Sequence, residues 1–383
     1  MLYLALPLLV FKTSGSAFEA IAAFGVQTLP YLSAPLLGAV VDRYPRRLVF
    51  AVSEAWQGVT VALVPVAFMF GEELLAMGLV FAVGVGGVMS GLASDFGLIP
   101  NMVSESDLDK ATSLYSSLMQ MARFLGPALA GVFAAVVAPA GLIEVDAATF
   151  VASAVGGLAL GTVSANSRVP VNLEFLRAGL RHVMARTDLK ALAASLGLYN
   201  VGVGGIVSAL VIAVTSRLGW SVSDAGGVIS AGAVFASLGA FAAHRIGSKS
   251  YAHRIVMWLA ICLGGAIILV LDPRGALVEG YCLLLAGEGG LNATTLAYRQ
   301  RTIPGDLTGR ANAILRMIVQ GSLPVSAALL GWASSYKSPE ILFGIVGVCV
   351  LGAVLLWGGY VAGPQRRARG PGLPNEPLAE HSG

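Results

Sequence analysis

The chain of 383 residues is 56% hydrophobic and only 12% charged, with a formal net charge of +3 and a mean hydropathy of +0.79. A soluble globular chain carries about 25% charged residues, so this composition excludes an ordinary soluble protein. It implies a membrane body whose backbone polar groups are paired within helices, and the small charge without a basic-aromatic patch excludes nucleic acid as a partner.

Runs of ~20 apolar residues are long enough to cross the hydrocarbon core as helices. In chain order they cover 2–11, 20–41, 48–70, 74–100, 111–138 and 142–163, then a polar stretch, then 191–217, 224–246, 255–271, 276–298, 311–334 and 341–361. This pattern predicts an all-α polytopic membrane protein made of two six-helix bundles related by pseudo-two-fold symmetry. The expected domains are an N-terminal bundle at 1–163, a cytoplasmic linker at 164–190, a C-terminal bundle at 191–362 and a disordered cytoplasmic tail at 363–383.

The first run is short, since its residues span only ~15 Å as a helix. It has no basic n-region and no cleavage site, so it does not read as a signal peptide. The chain start is read as lying inside a first span, giving about 11 full spans and a partial one. In the linker, a short amphipathic helix is expected over 172–190, with Leu173, Leu176, Leu180 and Val183 on one face.

Charge then orients the spans. Arg43, Arg46 and Arg47 share alternate loops with Lys110, with Arg168, Arg177, Arg181, Arg186 and Lys190, and with Arg245, Lys249 and Arg254. Arg299, Arg301 and Arg310 follow on that side, as do Arg366, Arg367 and Arg369 of the tail. The opposite side holds Lys12, Arg217, Arg274 and Lys337. The positive-inside rule makes the richer side cytoplasmic, in a cell (inner) membrane.

The sequence also repeats. At a displacement of 200 residues, Lys110 meets Arg310, Gln120 meets Gln320 and Gly131 meets Gly331. The fifth span of each half is therefore equivalent, and parallel halves of this kind predict a rocking body with its substrate site between them. Glycine, at 48 residues, lies mostly within the apolar runs, where small residues let helices approach closely.

The most informative loop reads Gly38-Ala-Val-Val-Asp42-Arg43-Tyr44-Pro45-Arg46-Arg47. Asp42 ends a helix, where the macrodipole disfavours a negative charge, so it needs a partner, and Gly38 one turn earlier permits a close approach. Gly38, Asp42, Arg43, Arg46 and Arg47 resemble the loop between spans 2 and 3 of the major facilitator superfamily, with Pro45 where that family often has glycine. The resemblance implies a conformational latch in which Asp42 meets the start of span 11, near 309–312. The second-half counterpart, 239–254, is degraded: no acid stands where Asp42 stands, and His244 precedes Arg245.

In span 5, Gly126 and Pro127 free a backbone carbonyl and allow a bend, while Gly131 permits close packing. Ala122, Gly126, Pro127 and Gly131 resemble the antiporter motif of superfamily exporters, with Ala122 and Ala130 replacing glycines. The stretches 299–312 and 99–112 resemble loops of a subgroup that exports multidrug, macrolide-type and siderophore compounds.

Ionisable residues inside spans are costly and point to function. Glu288 and Arg123 lie near mid-depth, Asp95 and Glu54 nearer the cytoplasmic side, and Glu19, Glu144 and Asp146 nearer the outer face. Glu288 is the first candidate for carrying a proton, with Arg123 beside it or binding an anionic substrate. Asp95 is a further candidate, and Asn200 and Asn292 are candidate hydrogen-bonders in a cavity. Cys262, Cys282 and Cys349 read as small apolar packing groups.

No metal-ligand spacing, phosphate loop or catalytic motif is present, so no enzyme activity, metal or cofactor is expected. The reading is a monomeric secondary active transporter in the lipid bilayer. It would export small amphipathic molecules (drug, antibiotic or siderophore-like) by proton antiport through alternating access. Alternatives are an importer or uniporter of the same fold, or a transport-inactive membrane scaffold because the first span is incomplete.

Overall fold

The computed structural model describes residues 2–94, 122, 125–126, 129–133, 137–159, 180–246, 250–303, 308–336 and 339–363. Every regular element among them is helical. The first series comprises α1 (Leu2–Ser14), α2 (Ala17–Thr28), a 3-10 turn (Leu29–Ser33), α3 (Ala34–Arg43), α4 (Arg46–Met69), α5 (Glu73–Ala93) and α6 (Pro139–Ala159). The second comprises α7 (Thr187–Val203), α8 (Ile206–Ile212), a π turn (Ala213–Arg217), α9 (Val222–Arg245) and α10 (Tyr251–Leu271). It ends with α11 (Leu277–Thr302), α12 (Thr308–Gly321), α13 (Leu323–Ser334) and α14 (Pro339–Ala362).

Local chemistry sets the boundaries. Ser16 caps α2, its hydroxyl accepting from the Glu19 N–H at 3.2 Å, after Gly15 turns the chain at φ +69°. Ser221 and Asp224 form a reciprocal capping box at the start of α9. Between α3 and α4 only Tyr44 and Pro45 intervene: Tyr44 is extended, and Pro45 fixes φ at −56° before the next helix starts. Nine helical stretches among the described residues are long and apolar enough to cross a membrane.

The linker at 164–190 is described only from residue 180 onward. Among its described residues, 180–185 are helical, Arg186 is extended, and α7 already starts at Thr187. Lys190 therefore belongs to the seventh span. Asp188 in the first turn favours this earlier start, because a carboxylate complements the positive end of a helix. Val183 is buried whereas Leu180 is exposed, so these two do not share one buried face; Leu173 and Leu176 lie outside the described residues.

Packing repeats across the linker. In the first series α4 lies against α5 and α6, α1 against α6, and α2 against α5. In the second, α10 lies against α11 and α14, α7 against α14, and α9 against α11. These are the same pairs taken six spans later. Glycine permits the tightest crossings: a Cβ on Gly84 of α5 would strike the Gln27 carbonyl of α2, and one on Gly289 of α11 would strike the Ala236 carbonyl of α9.

Candidate functional site

Helices from the two series meet along a seam lined by small residues. α2 packs on α13, where a Cβ on Gly25 would stand 2.8 Å from the Ala327 Cβ. Farther along, a Cβ on Gly331 would stand 3.2 Å from the Phe18 ring. Gly131 of the fifth span makes the equivalent crossing on α9, 3.1 Å from the Gly226 Cα by the same measure. Both α1 and α2 also touch α8.

The seventh and eleventh spans are broken beside this seam, and each repairs the other. Span 11 is interrupted between α12 and α13, where Pro324 cannot donate to the helical ladder. Just before this break the Val319 carbonyl accepts from Asn200 Nδ2 at 2.8 Å and from the Ser322 hydroxyl at 2.7 Å. Span 7 is interrupted at Gly204–Gly205, and the Gly205 N–H donates to Ser326 Oγ of α13 at 2.9 Å. Broken helices in a membrane need such partners for their open backbone groups.

Glu288 lies midway along α11 and is half-buried. Its Oε2 accepts from the hydroxyl of Tyr199 on α7 at 3.3 Å, and Cys262 Sγ of α10 lies 3.8 Å from that same hydroxyl. Three helices thus converge on one intramembrane carboxyl. Tyr199 and Cys262 are both buried. Asn200, the neighbour of Tyr199, serves the break in span 11. Asn292, one turn beyond Glu288, is exposed.

A second intramembrane carboxyl is more deeply enclosed. Glu54 of α4 is 8% exposed and accepts from Ser90 Oγ at 2.5 Å and from Gln57 Nε2 at 3.2 Å. Both partners are neutral donors, and no cation among the described residues pairs with it. From the sequence, Glu54 is placed nearer the cytoplasmic side with Asp95 and is not among the candidate proton or substrate residues. The Ser90 partner, on another helix, carries no linear signal.

A third cluster escaped sequence reasoning. Arg186, which there counted only toward the positive side, donates from Nε to Asp188 Oδ1 at 3.0 Å, pairs with Oδ2, and donates to the Thr302 carbonyl at 2.5 Å. Hydrogen bonding to Asp188 pushes the Arg186 guanidinium above its ordinary range, so it stays cationic. The Tyr298 hydroxyl donates to Asp188 at 2.9 Å, and its ring meets Trp357 edge-on at 5.8 Å. Trp357 Nε1 in turn donates to the Ala252 carbonyl at 2.9 Å. The network ties one end of α7, α10, α11 and α14 together.

Of the latch residues, Arg43 is exposed, while Arg46 and Arg47 are half-buried and both engaged. Among the described residues, a Cβ on Gly38 would meet Leu92 at 3.9 Å, an ordinary contact. α3 does contact α12, the helix named by the resemblance, but the side chains of Asp42 and of 308–310 are not among those described. In span 5, Ala122 is exposed, Gly126 half-buried and Gly131 buried. Pro127, Arg123 and Asp95 lie outside the described residues.

Residues 1–271 match the family model described as Major Facilitator Superfamily. The chain belongs to the Major Facilitator Superfamily. This superfamily member is 27% identical over 378 residues to the multidrug efflux pump Tap of Mycolicibacterium fortuitum, with 90% of each chain covered. Its fold is similar to that of a POT family transporter in complex with a thioalcohol-conjugated peptide, with a TM-score of 0.68 at 13% identity over 95% of this chain and 93% of that one. It is also similar to a bacterial homologue of the iron transporter ferroportin in an inward-facing state, with a TM-score of 0.62 at 17% identity over 94% and 98%. As a superfamily member with many membrane-length helices, the chain is a multi-pass transporter rather than an enzyme.

Proposed function

We propose that this transporter exports small amphipathic molecules across the cell (inner) membrane, by proton antiport through alternating access. The observation that carries the proposal is Glu288: a half-buried carboxyl at the middle of a membrane-length helix, hydrogen-bonded by Tyr199. Such a group is costly to keep there unless it works, and its protonation is sensitive to which side admits water. The similarity to a protein named as a multidrug efflux pump supports export.

The bundles 1–163 and 191–362 are the rocking bodies in this reading. They roll on the seam of small residues at Gly25, Gly131 and Gly331, with 164–190 and the tail cytoplasmic. Asp42 with Arg43, Arg46 and Arg47 latches one end state against α12. Asn292, exposed one turn from Glu288, is assigned to the substrate path, and Arg123 and Asp95 remain candidates within it. Glu54 gives a second reading of the proton site, favoured by its burial among neutral donors.

The test is transport into everted membrane vesicles under an imposed pH gradient, using a lipophilic cationic dye as the probe. Uptake that follows the gradient and vanishes in Glu288→Gln supports the assignment. Gradient-driven uptake at the parent level in that variant removes Glu288 as the proton carrier.

A further inference from the structure

Three arginines gather where α9 ends, α10 begins and α11 ends, and none has a carboxylate partner among the described residues. The Arg254 guanidinium lies 4.0 Å above the Tyr251 ring, and that of Arg301 lies 5.2 Å from the same ring. Arg245 stacks on Phe241 at 5.0 Å. Arg254 is 8% exposed and donates to the Ile246 carbonyl at 2.8 Å, yet its Nε is buried with no acceptor. Arg245 and Arg301 are exposed.

The sequence explains why these cations are unmatched. The α9–α10 connection is the second-half counterpart of the α3–α4 turn, and it lacks the acid that Asp42 supplies there. Aromatic faces and helix-end carbonyls offset a guanidinium only in part, which leaves these arginines able to take an anion from outside the chain. An apolar path leads to the cluster. Val234, Leu238 and Phe241 are exposed and, with Arg245, recur along one face of α9 at helical spacing.

We propose that the ends of α9, α10 and α11 bind the phosphodiester headgroup of an anionic membrane lipid. Arg245 and Arg301 contact the phosphate, Arg254 and Tyr251 form the floor, and an acyl chain lies along Val234, Leu238 and Phe241. A basic cluster at a membrane surface with an apolar stripe beneath it has the chemistry that an anionic headgroup requires. Arginine suits this role because its planar fork meets two phosphate oxygens at once.

The experiment measures lipid binding by native mass spectrometry of the full chain released from phosphatidylglycerol–phosphatidylcholine nanodiscs. The parent is expected to retain phosphatidylglycerol in preference to phosphatidylcholine. R245Q/R301Q breaks no ion pair, and it is expected to weaken that retention by about 30-fold. Thermal unfolding of the variant in phosphatidylcholine alone is expected to match that of the parent, which separates a lost site from a damaged fold. Equal retention of the two lipids, unchanged retention in the variant, or displacement of the lipid by millimolar inorganic phosphate would each overturn the proposal.

Discussion

Gly131 and Gly331 stand 200 residues apart and make the same crossing in opposite senses. The first lets span 5 of the N-terminal series approach α9, and the second lets span 11 of the C-terminal series approach α2. A side chain at either point must displace backbone or an aromatic ring. Overpacking of this kind costs about 1–3 kcal/mol. Gly331→Leu is therefore expected to reduce dye efflux several-fold while the protein still inserts. Efflux assays normalised to membrane-bound protein test this, and parent-level efflux would count against a seam that must stay close.

The two intramembrane carboxyls make separable predictions. If Glu288 carries the proton, Glu288→Gln loses gradient-driven transport but retains exchange of substrate across the membrane. Glu54→Gln then keeps its dependence on the gradient, since Ser90 and Gln57 can hydrogen-bond an amide. The reverse outcome in vesicle transport assays would move the assignment to Glu54.

Asp188 holds a buried network together, and its loss leaves Arg186 with an uncompensated charge. Breaking a buried pair from one side costs about 3 kcal/mol or more. Asp188→Ala is expected to lower the unfolding midpoint in detergent, and Arg186→Leu/Asp188→Leu is expected to recover part of that loss. A single variant as stable as the parent would show that the clamp contributes little.

The latch reading predicts that Asp42→Asn lowers transport while insertion stays intact, because only one end state loses its electrostatic partner. Arg43→Gln, at an exposed position, is expected to have a smaller effect. Transport assays on both variants decide this; unchanged efflux in Asp42→Asn would remove the latch.

The hairpin at Tyr44–Pro45 was plain in the sequence because hydropathy and charge write such turns directly. The Gly131–Gly331 equivalence was also legible, since the repeat keeps both residues at one displacement. What the sequence hid depends on helices meeting at an angle. Gly38 and Gly84 look alike along the chain, yet among the described residues Gly84 presses against the Gln27 backbone while Gly38 meets a side chain at ordinary distance. Tyr298 and Asp188 lie 110 residues apart, and no periodicity within one helix reports such a pair. Asn200 was singled out as a polar residue in a span, but its partner, the Val319 carbonyl, sits at a break in a span 119 residues away.

The exchanged bonds at the two breaks have a mechanical consequence. The segments beyond them, α8 and α13, are the parts of spans 7 and 11 that touch α1 and α2. Two bonds cross between the spans at these breaks: Asn200 of α7 donates to the Val319 carbonyl of α12, and the Gly205 N–H, just before α8, donates to Ser326 of α13. Tilting one segment alone would strip an acceptor or a donor in a medium with no water to replace it. In the proposed rocking motion the two would therefore move as a linked pair of levers. A push from the N-terminal series at either contact would then be delivered to both spans together.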